Sequence, residues 1–289
     1  MKKALLKYIF VLLLFGSNGI IASYIDLSSY EIVFMRTMIG SLSLFVFFLL
    51  GRGKFTFTFH KKDFVFISVS GIAMGTGWML LYEAYTQIGV SVSSLCYYSG
   101  PIIVMLLSSL IFKEKLTFVK IIAFASVLVG MLLVNGCERA VTSSFGLLCG
   151  LSSAVMYAIM VIFSRKATSV TGLEKSALQL FMAFVTVAAF VGAKEGFMIE
   201  ISAESILPII ILGLLNTGIG CYLYFSSIEK LPVLTVAICG YLEPLSAVLL
   251  SVIFIGETLL PLQIVGIFLI VGGAVFGECV KPKANPSKQ

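Results

Sequence analysis

Histidine is almost missing: 289 residues contain one, His60. It sits in the basic stretch from Arg52 to Asp63, so it reads as a solvated loop residue rather than a catalytic or metal-binding one. Cys96, Cys137, Cys149, Cys221, Cys239 and Cys279 show no CxxC or CxxxH spacing, and all but the loop residue Cys137 fall within or at the ends of apolar runs. They read as small apolar fillers, so no metal site and no cofactor is expected. No GxxxxGK[ST] run occurs, which excludes ATP hydrolysis by this chain. Charge is scarce as well. Only 12% of residues are Asp, Glu, Lys or Arg, too few for a soluble globular protein.

What fills the chain is apolar: 59% of residues are hydrophobic and the mean hydropathy is +1.09. A bilayer core takes about 20 apolar residues per helix. Reading between charge clusters and Gly/Pro punctuation puts spans near 6–25, 30–50, 64–86, 90–112, 118–135, 144–164, 174–193, 205–227, 232–254 and 261–279. The loops between them leave no room for a soluble domain. The first run also has signal-peptide features, with Ile21-Ala22-Ser23 as a passable cleavage site; against that stand Asn18 and the need for a first span. With the N-terminus in the cytoplasm, every Lys and Arg except Arg36, Arg139 and Lys194 falls on the cytoplasmic side. The net charge of +6 is therefore a topology signal, and no nucleic-acid partner is expected. A cell (inner) membrane protein with both termini cytoplasmic is the expectation, as monomer or homodimer.

The second half repeats the first at an offset of 143 residues without a gap. Gly75, Gly77, Pro101, Glu114 and Gly130 recur as Gly218, Gly220, Pro244, Glu257 and Gly273, and Cys96, Tyr98 and Ser108 as Cys239, Tyr241 and Ser251. Five spans per copy is an odd number, so the second copy enters the membrane from the opposite side. The expected fold is an all-α membrane protein: ten transmembrane helices as two inverted five-helix repeats, 5–135 and 144–278, around a central cavity. Internal symmetry of this kind marks secondary transporters, with the substrate at the repeat interface near the midplane.

Tyr241-Leu242-Glu243-Pro244 through Gly256-Glu257-Thr258-Leu259, then Gly266 and Gly272-Gly273, resembles the closing helix pair of an EamA domain. Gly100-Pro101 through Phe112-Lys113-Glu114-Lys115-Leu116-Thr117 resembles the same pattern in the first copy, and Phe15-Gly16-Ser17-Asn18, Arg36 and Leu223-Tyr224-Phe225 fit too. The resemblance implies the drug/metabolite transporter superfamily, whose members export amino acids, other metabolites or drugs. One departure matters: Ser99-Gly100-Pro101 stands where the second copy has Leu242-Glu243-Pro244, so the halves are not chemically equivalent.

Glu243 is the most informative side chain. It lies about eleven residues into its span, roughly 16 Å deep. A charge at that depth costs at least about 2.5 kcal/mol and must face the bundle interior or a wet cavity. It is a proton carrier, a partner for a cationic substrate group, or a structural carboxyl beside Pro244. Pro101 and Pro244 each remove a helix hydrogen bond and read as hinges or kinks. Trp78, Tyr82 and Tyr85 form a stripe that lines a cavity or sits as an interface belt; Trp78 fits the cavity, Tyr85 the belt. Tyr97, Tyr98 and Tyr241 sit nearer the midplane. Asn18 and Asn216 reach mid-depth as substrate contacts or interhelical hydrogen bonds. Arg36 is expected to form a structural ion pair with Glu83 or with Glu31, ahead of binding a substrate carboxylate. Glu114 and Glu257 read as structural helix ends.

These features favour a secondary exporter of a small organic metabolite, amino acid-like or amphiphilic and cationic. It would work by alternating access around a cavity of spans 1, 3, 4, 6, 8 and 9, with proton coupling through Glu243. Its partners would be that solute, the lipid bilayer and protons. A receptor or assembly factor would normally add a soluble domain or long tail. A nucleotide-sugar or sugar-phosphate exchanger would favour Lys or Arg in spans 8 to 10, which hold none. An intramembrane enzyme lacks a nucleophile–base pair at depth.

Overall fold

A computed structural model describes residues 2–113, 117–135, 143–194, 196, 197, 199–255 and 260–279. Glu114 and Glu257 lie outside the described residues, as do Cys137, Glu138 and Arg139. Span 1 comprises α1 (Lys2–Gly16) and α2 (Asn18–Ala22), span 2 is α3 (Ser29–Leu50), and span 3 is α4 (Lys61–Ile88). Span 4 comprises α5 (Val90–Tyr97) and α6 (Gly100–Ile111), followed by α7 (Phe118–Asn135), α8 (Ser144–Lys166) and α9 (Gly172–Lys194) as spans 5 to 7. Span 8 comprises α10 (Ala203–Ile210), a π-helical segment (Ile211–Ile219) and α11 (Gly220–Ile228). Span 9 comprises α12 (Val233–Cys239) and α13 (Leu242–Ile255), and α14 (Pro261–Cys279) is span 10. Among the described residues there is no strand.

Seven of these stretches are long and apolar enough to cross a bilayer, and shorter apolar helices over Gly100–Ile111, Phe118–Val134 and Pro261–Gly277 make up the other three spans. Without water, each apolar run must satisfy its own N–H and C=O groups, and the helix is the conformation that does so within one segment. Ser28 and Glu31 form a reciprocal capping box at the start of α3, and Ser143 caps α8 through the Gly146 N–H. Leu42, Leu49, Leu110, Ile253 and Phe268 remain exposed, an apolar outer surface suited to lipid.

The contacts between spans obey a pseudo-two-fold operator. Span 3 packs on 6 and span 8 on 1; span 4 packs on 6 and span 9 on 1; span 3 packs on 7 and span 8 on 2. Spans 2 and 7, 4 and 9, and 5 and 10 pair with their own counterparts. Such reciprocity is what an isologous interface requires. Spans 5 and 10 cross closely: a Cβ on Gly130 would sit 2.6 Å from the Gly266 carbonyl oxygen, and one on Gly273 would sit 2.7 Å from that of Ala123. Gly273 and Gly266 are the repeat counterparts of Gly130 and Ala123, so this is one contact made twice. Ser126 adds a hydrogen bond of 3.0 Å to the carbonyl of its own counterpart, Leu269.

Gly130→Ala forces these backbones apart, at a cost of about 1–3 kcal/mol typical of overpacking. Gly272, one residue from the same crossing, has nothing within 4 Å of the place a Cβ would take, so Gly272→Ala leaves stability unchanged or slightly raised. Thermal unfolding of both variants in detergent checks the contrast.

Candidate functional site

Four spans are irregular. Span 1 is interrupted at Ser17, span 4 at Tyr98–Ser99, and span 9 at Gly240–Tyr241, while span 8 is π-helical over Ile211–Ile219. Pro101 and Pro244 both fall in the first turn of the half-helix after a break, where the N–H that proline lacks would have no intrahelical partner. They follow breaks rather than kinking a continuous helix. The carbonyls around the irregular stretches are capped by side chains from other spans. Asn216 Nδ2 donates to Leu14 O at 3.2 Å, and also to Ser17 Oγ and Asn18 Oδ1, each at 2.9 Å. Tyr241 Oη donates to Tyr98 O at 2.7 Å, and Tyr8 Oη to Val236 O at 3.0 Å.

These bonds redistribute the sequence-based candidates. Asn18 and Asn216 hold each other and stitch span 1 to span 8. Tyr241 is 0% exposed, with its hydroxyl committed to its own repeat counterpart. It is an internal strut, not a cavity wall, because the axis runs through the Tyr98–Tyr241 contact. Tyr97 and Tyr98 stay partly accessible, as does Trp78, which lines a small recess with Ala73, Met74, Gly77, Tyr97, Tyr157 and Met160. Tyr82 packs edge-on against Tyr85 at 5.2 Å between ring centroids.

The expected Arg36–Glu83 ion pair does not form. Glu83 pairs instead with Lys194 at the end of α9 and accepts a hydrogen bond from Tyr30 Oη, and Glu31 is engaged in its capping box. Lys194 can reach Glu83 because spans 3 and 7 pack together, a long-range contact that spacing along the chain does not reveal. Arg36 turns inward. It is 8% exposed, its Nε donates to Thr217 Oγ1 at 3.0 Å, and its guanidinium lies 4.8 Å from the Trp78 ring centroid. Thr217 itself donates to Leu212 O at 2.8 Å, five residues back, so the π-helical segment provides the seat for the arginine. Span 2 thus contributes a charged group to the interior, against spans 3 and 8.

Glu243 occupies the first turn of α13 and remains partly accessible, although protein surrounds it. It lies within electrostatic reach of Arg36 and of the phenols of Tyr85, Tyr97, Tyr98 and Tyr157. Tyr85 is partly accessible and packs against Tyr82. Among the described residues no group of His, Cys, Asp and Glu could hold a metal ion.

The two ends of the bundle differ. At the end rich in Lys and Arg, every residue of Val233–Cys239 is buried. Lys175, 1% exposed, pairs with Glu229 at 3.3 Å and donates to Ala167 O at 3.0 Å. Arg165 donates to the carbonyls of Ile228 and Glu229. Glu174 accepts from the N–H groups of Thr56 and Phe57, and Asp63 from those of Ser169 and Val170, which fastens the loops there. Toward the other end Leu80, Tyr82, Glu83 and Tyr85 are only partly buried. The spans are tightly bonded to one another at the basic end.

Residues 2–136 and 144–276 each match the EamA-like transporter family. The chain belongs to that family. This EamA-like chain is 24% identical over 275 residues to the uncharacterized transporter YxxF of Bacillus subtilis, covering 93% of its own length and 88% of the relative's. It is 23% identical over 259 residues to the threonine/homoserine exporter RhtA of Escherichia coli, covering 88% and 83%. A solved crystal structure matches it with a TM-score of 0.82 at 18% identity, covering 95% of this chain and 98% of the other. It is thus a multi-pass membrane protein of a transporter family, with lipid around it and small solutes as the family's cargo.

Sequence reading missed Tyr157, Lys194 as the partner of Glu83, and the Lys175–Glu229 pair. None of these has a local motif; only the depth of Tyr157 within an apolar run was there to be noticed. The Glu83–Lys194 assignment has a direct check. In thermal melts, Glu83→Gln and Lys194→Gln are non-additive by about 0.2–1 kcal/mol, the range for a partly exposed pair. Arg36→Gln and Glu83→Gln add independently; a coupling between them as large as that of the first pair would restore the Arg36–Glu83 pairing.

Proposed function

We propose that this EamA-like chain is a secondary active exporter of small amphiphilic metabolites, amino acid-like or cationic, and not an enzyme. It works by alternating access in the cell membrane, with both termini cytoplasmic and protons as the coupling ion. The observation that carries this reading is Glu243, partly accessible yet enclosed, at the break in span 9 and opposite a wall of phenols. A carboxyl in that setting belongs to a wet cavity, since a lipid-facing or fully packed charge would be costly. The positive bias of one end supports the orientation, and the RhtA name supports export as the direction.

In this mechanism the repeats 5–135 and 144–278 rock about their shared axis, and the breaks before Pro101 and Pro244 are the hinges. The closed basic end corresponds to a state open to the exterior. Glu243 releases its solute there and takes a proton, then exchanges the proton for solute when the cavity faces inward. Proton and solute cannot occupy the same carboxylate together, which is the condition for antiport. Trp78, Tyr97 and Tyr98 supply the walls. The cavity lies within one chain, so transport needs no second copy.

Reconstituted protein given a panel of labelled amino acids and amines accumulates its substrate in response to an imposed proton gradient. Glu243→Gln loses that response at least tenfold while remaining folded by size-exclusion chromatography. Unchanged gradient-driven accumulation by Glu243→Gln sinks the coupling role.

A further inference from the structure

At the basic end of the bundle the acids are spent internally. Asp63, 8% exposed, accepts from the N–H groups of Ser169 and Val170. Glu174, 6% exposed, accepts from those of Thr56 and Phe57, and Glu229 is taken by Lys175. Lys62 and Lys166 are left without a carboxylate partner among the described residues. Topology explains why lysines collect at this end. It does not explain where these two are held.

Both rest on one pair of rings at the seam of spans 3 and 6. Lys62 Nζ lies 5.8 Å from the Phe66 ring centroid. Lys166 Nζ lies 6.0 Å from the same centroid and 5.4 Å from that of Phe163. The two rings meet edge-on at 5.8 Å between centroids. A ring face attracts an ammonium but leaves its N–H donors free for an anion. The two ammonium groups also repel each other, and an anion reaching both removes that repulsion. Toward the membrane interior the seam turns apolar. Val65 and Ile72 on α4 are 55% and 48% exposed, and Val155 on α8 is 41% exposed. Val65 follows Lys62 by three residues, and Val155 precedes Lys166 by eleven, about three helical turns. Each valine therefore lies on its lysine's side of the helix.

A ligand anionic at its head and apolar below satisfies both levels of this seam. We infer that it holds an anionic phospholipid. The phosphate bridges Lys62 and Lys166, and an acyl chain runs along Val65, Ile72 and Val155. A zwitterionic headgroup brings its own ammonium against the two lysines and is disfavoured. Free phosphate would engage the lysines but leave the apolar stripe unused. Span 3 belongs to the first repeat and span 6 to the second, so the lipid straddles the joint between them.

Native mass spectrometry of detergent-purified protein reads the preference directly. The protein is offered equal amounts of phosphatidylglycerol and phosphatidylcholine with identical acyl chains. Adducts of phosphatidylglycerol exceed those of phosphatidylcholine at least about tenfold. Lys62→Gln combined with Lys166→Gln brings the ratio close to parity. Lys2→Gln combined with Lys3→Gln removes the same charge from α1, which packs on α11 and α13, and leaves the ratio unchanged. Excess inorganic phosphate leaves the adducts in place. Because the lipid ratio is read first on the unaltered protein, the test survives a variant that fails to fold. Equal retention of the two lipids overturns the inference, as does a preference that outlasts the loss of Lys62 and Lys166. An equal fall in the Lys2 and Lys3 variant reduces the site to diffuse charge, and displacement by phosphate makes it an anion site without lipid; either result also overturns it.

Discussion

A helix that breaks inside an apolar slab leaves backbone groups without intrahelical partners, and lipid offers them none. Tyr241 supplies the donor for the Tyr98 carbonyl at the break in span 4, while Asn216 and Tyr8 add bonds to the Leu14 and Val236 carbonyls, which also accept from the N–H groups of Ser17 and Gly240. The breaks free the chain from strict helical geometry, which is how Glu243 comes to occupy a helix start at mid-depth. The donors in turn tie span 1 to 8, 9 to 4 and 1 to 9. Irregularity and interhelical bonding meet most directly at Tyr98, whose carbonyl takes its donor from span 9.

The same logic governs charge. Arg36 is tolerable in the interior because a hydroxyl and an indole face hold it, and the hydroxyl is available only because the π-helical turn re-aims Thr217. Lys175 at the basic end is treated differently, with a carboxylate and a carbonyl close by. Lys175 thus has two oxygen partners in a packed seam, whereas Arg36 has one hydrogen bond among the described residues and the face of a ring.

The architecture was legible because it is written twice: apolar run lengths give the spans, and the offset that maps Gly75 onto Gly218 and Pro101 onto Pro244 gives the symmetry. Glu243 and Trp78 could be singled out from depth alone. Partners were another matter. Arg36 and Glu83 lie at similar depth on consecutive spans, yet Lys194, from a span more than a hundred residues later, takes the carboxylate. Tyr241 was equally opaque, since a tyrosine at the midplane reads the same whether it faces a cavity or the molecule's own axis. Helix rotation decides, and in a sequence apolar on all sides no polar stripe records rotation.

The bond from Tyr241 to Tyr98 links a residue to its own duplicate, and both members carry the same hydroxyl. In a molecule of perfect two-fold symmetry such a bond would have a twin, from Tyr98 to Tyr241. Among the described residues only one of the two exists, so the halves have taken unequal roles at the very point where they are chemically alike. A choice between equivalent donors has no intrinsic preference of its own. Whatever tilts it must come from the positions where the copies diverge, Ser99-Gly100 against Leu242-Glu243 among them.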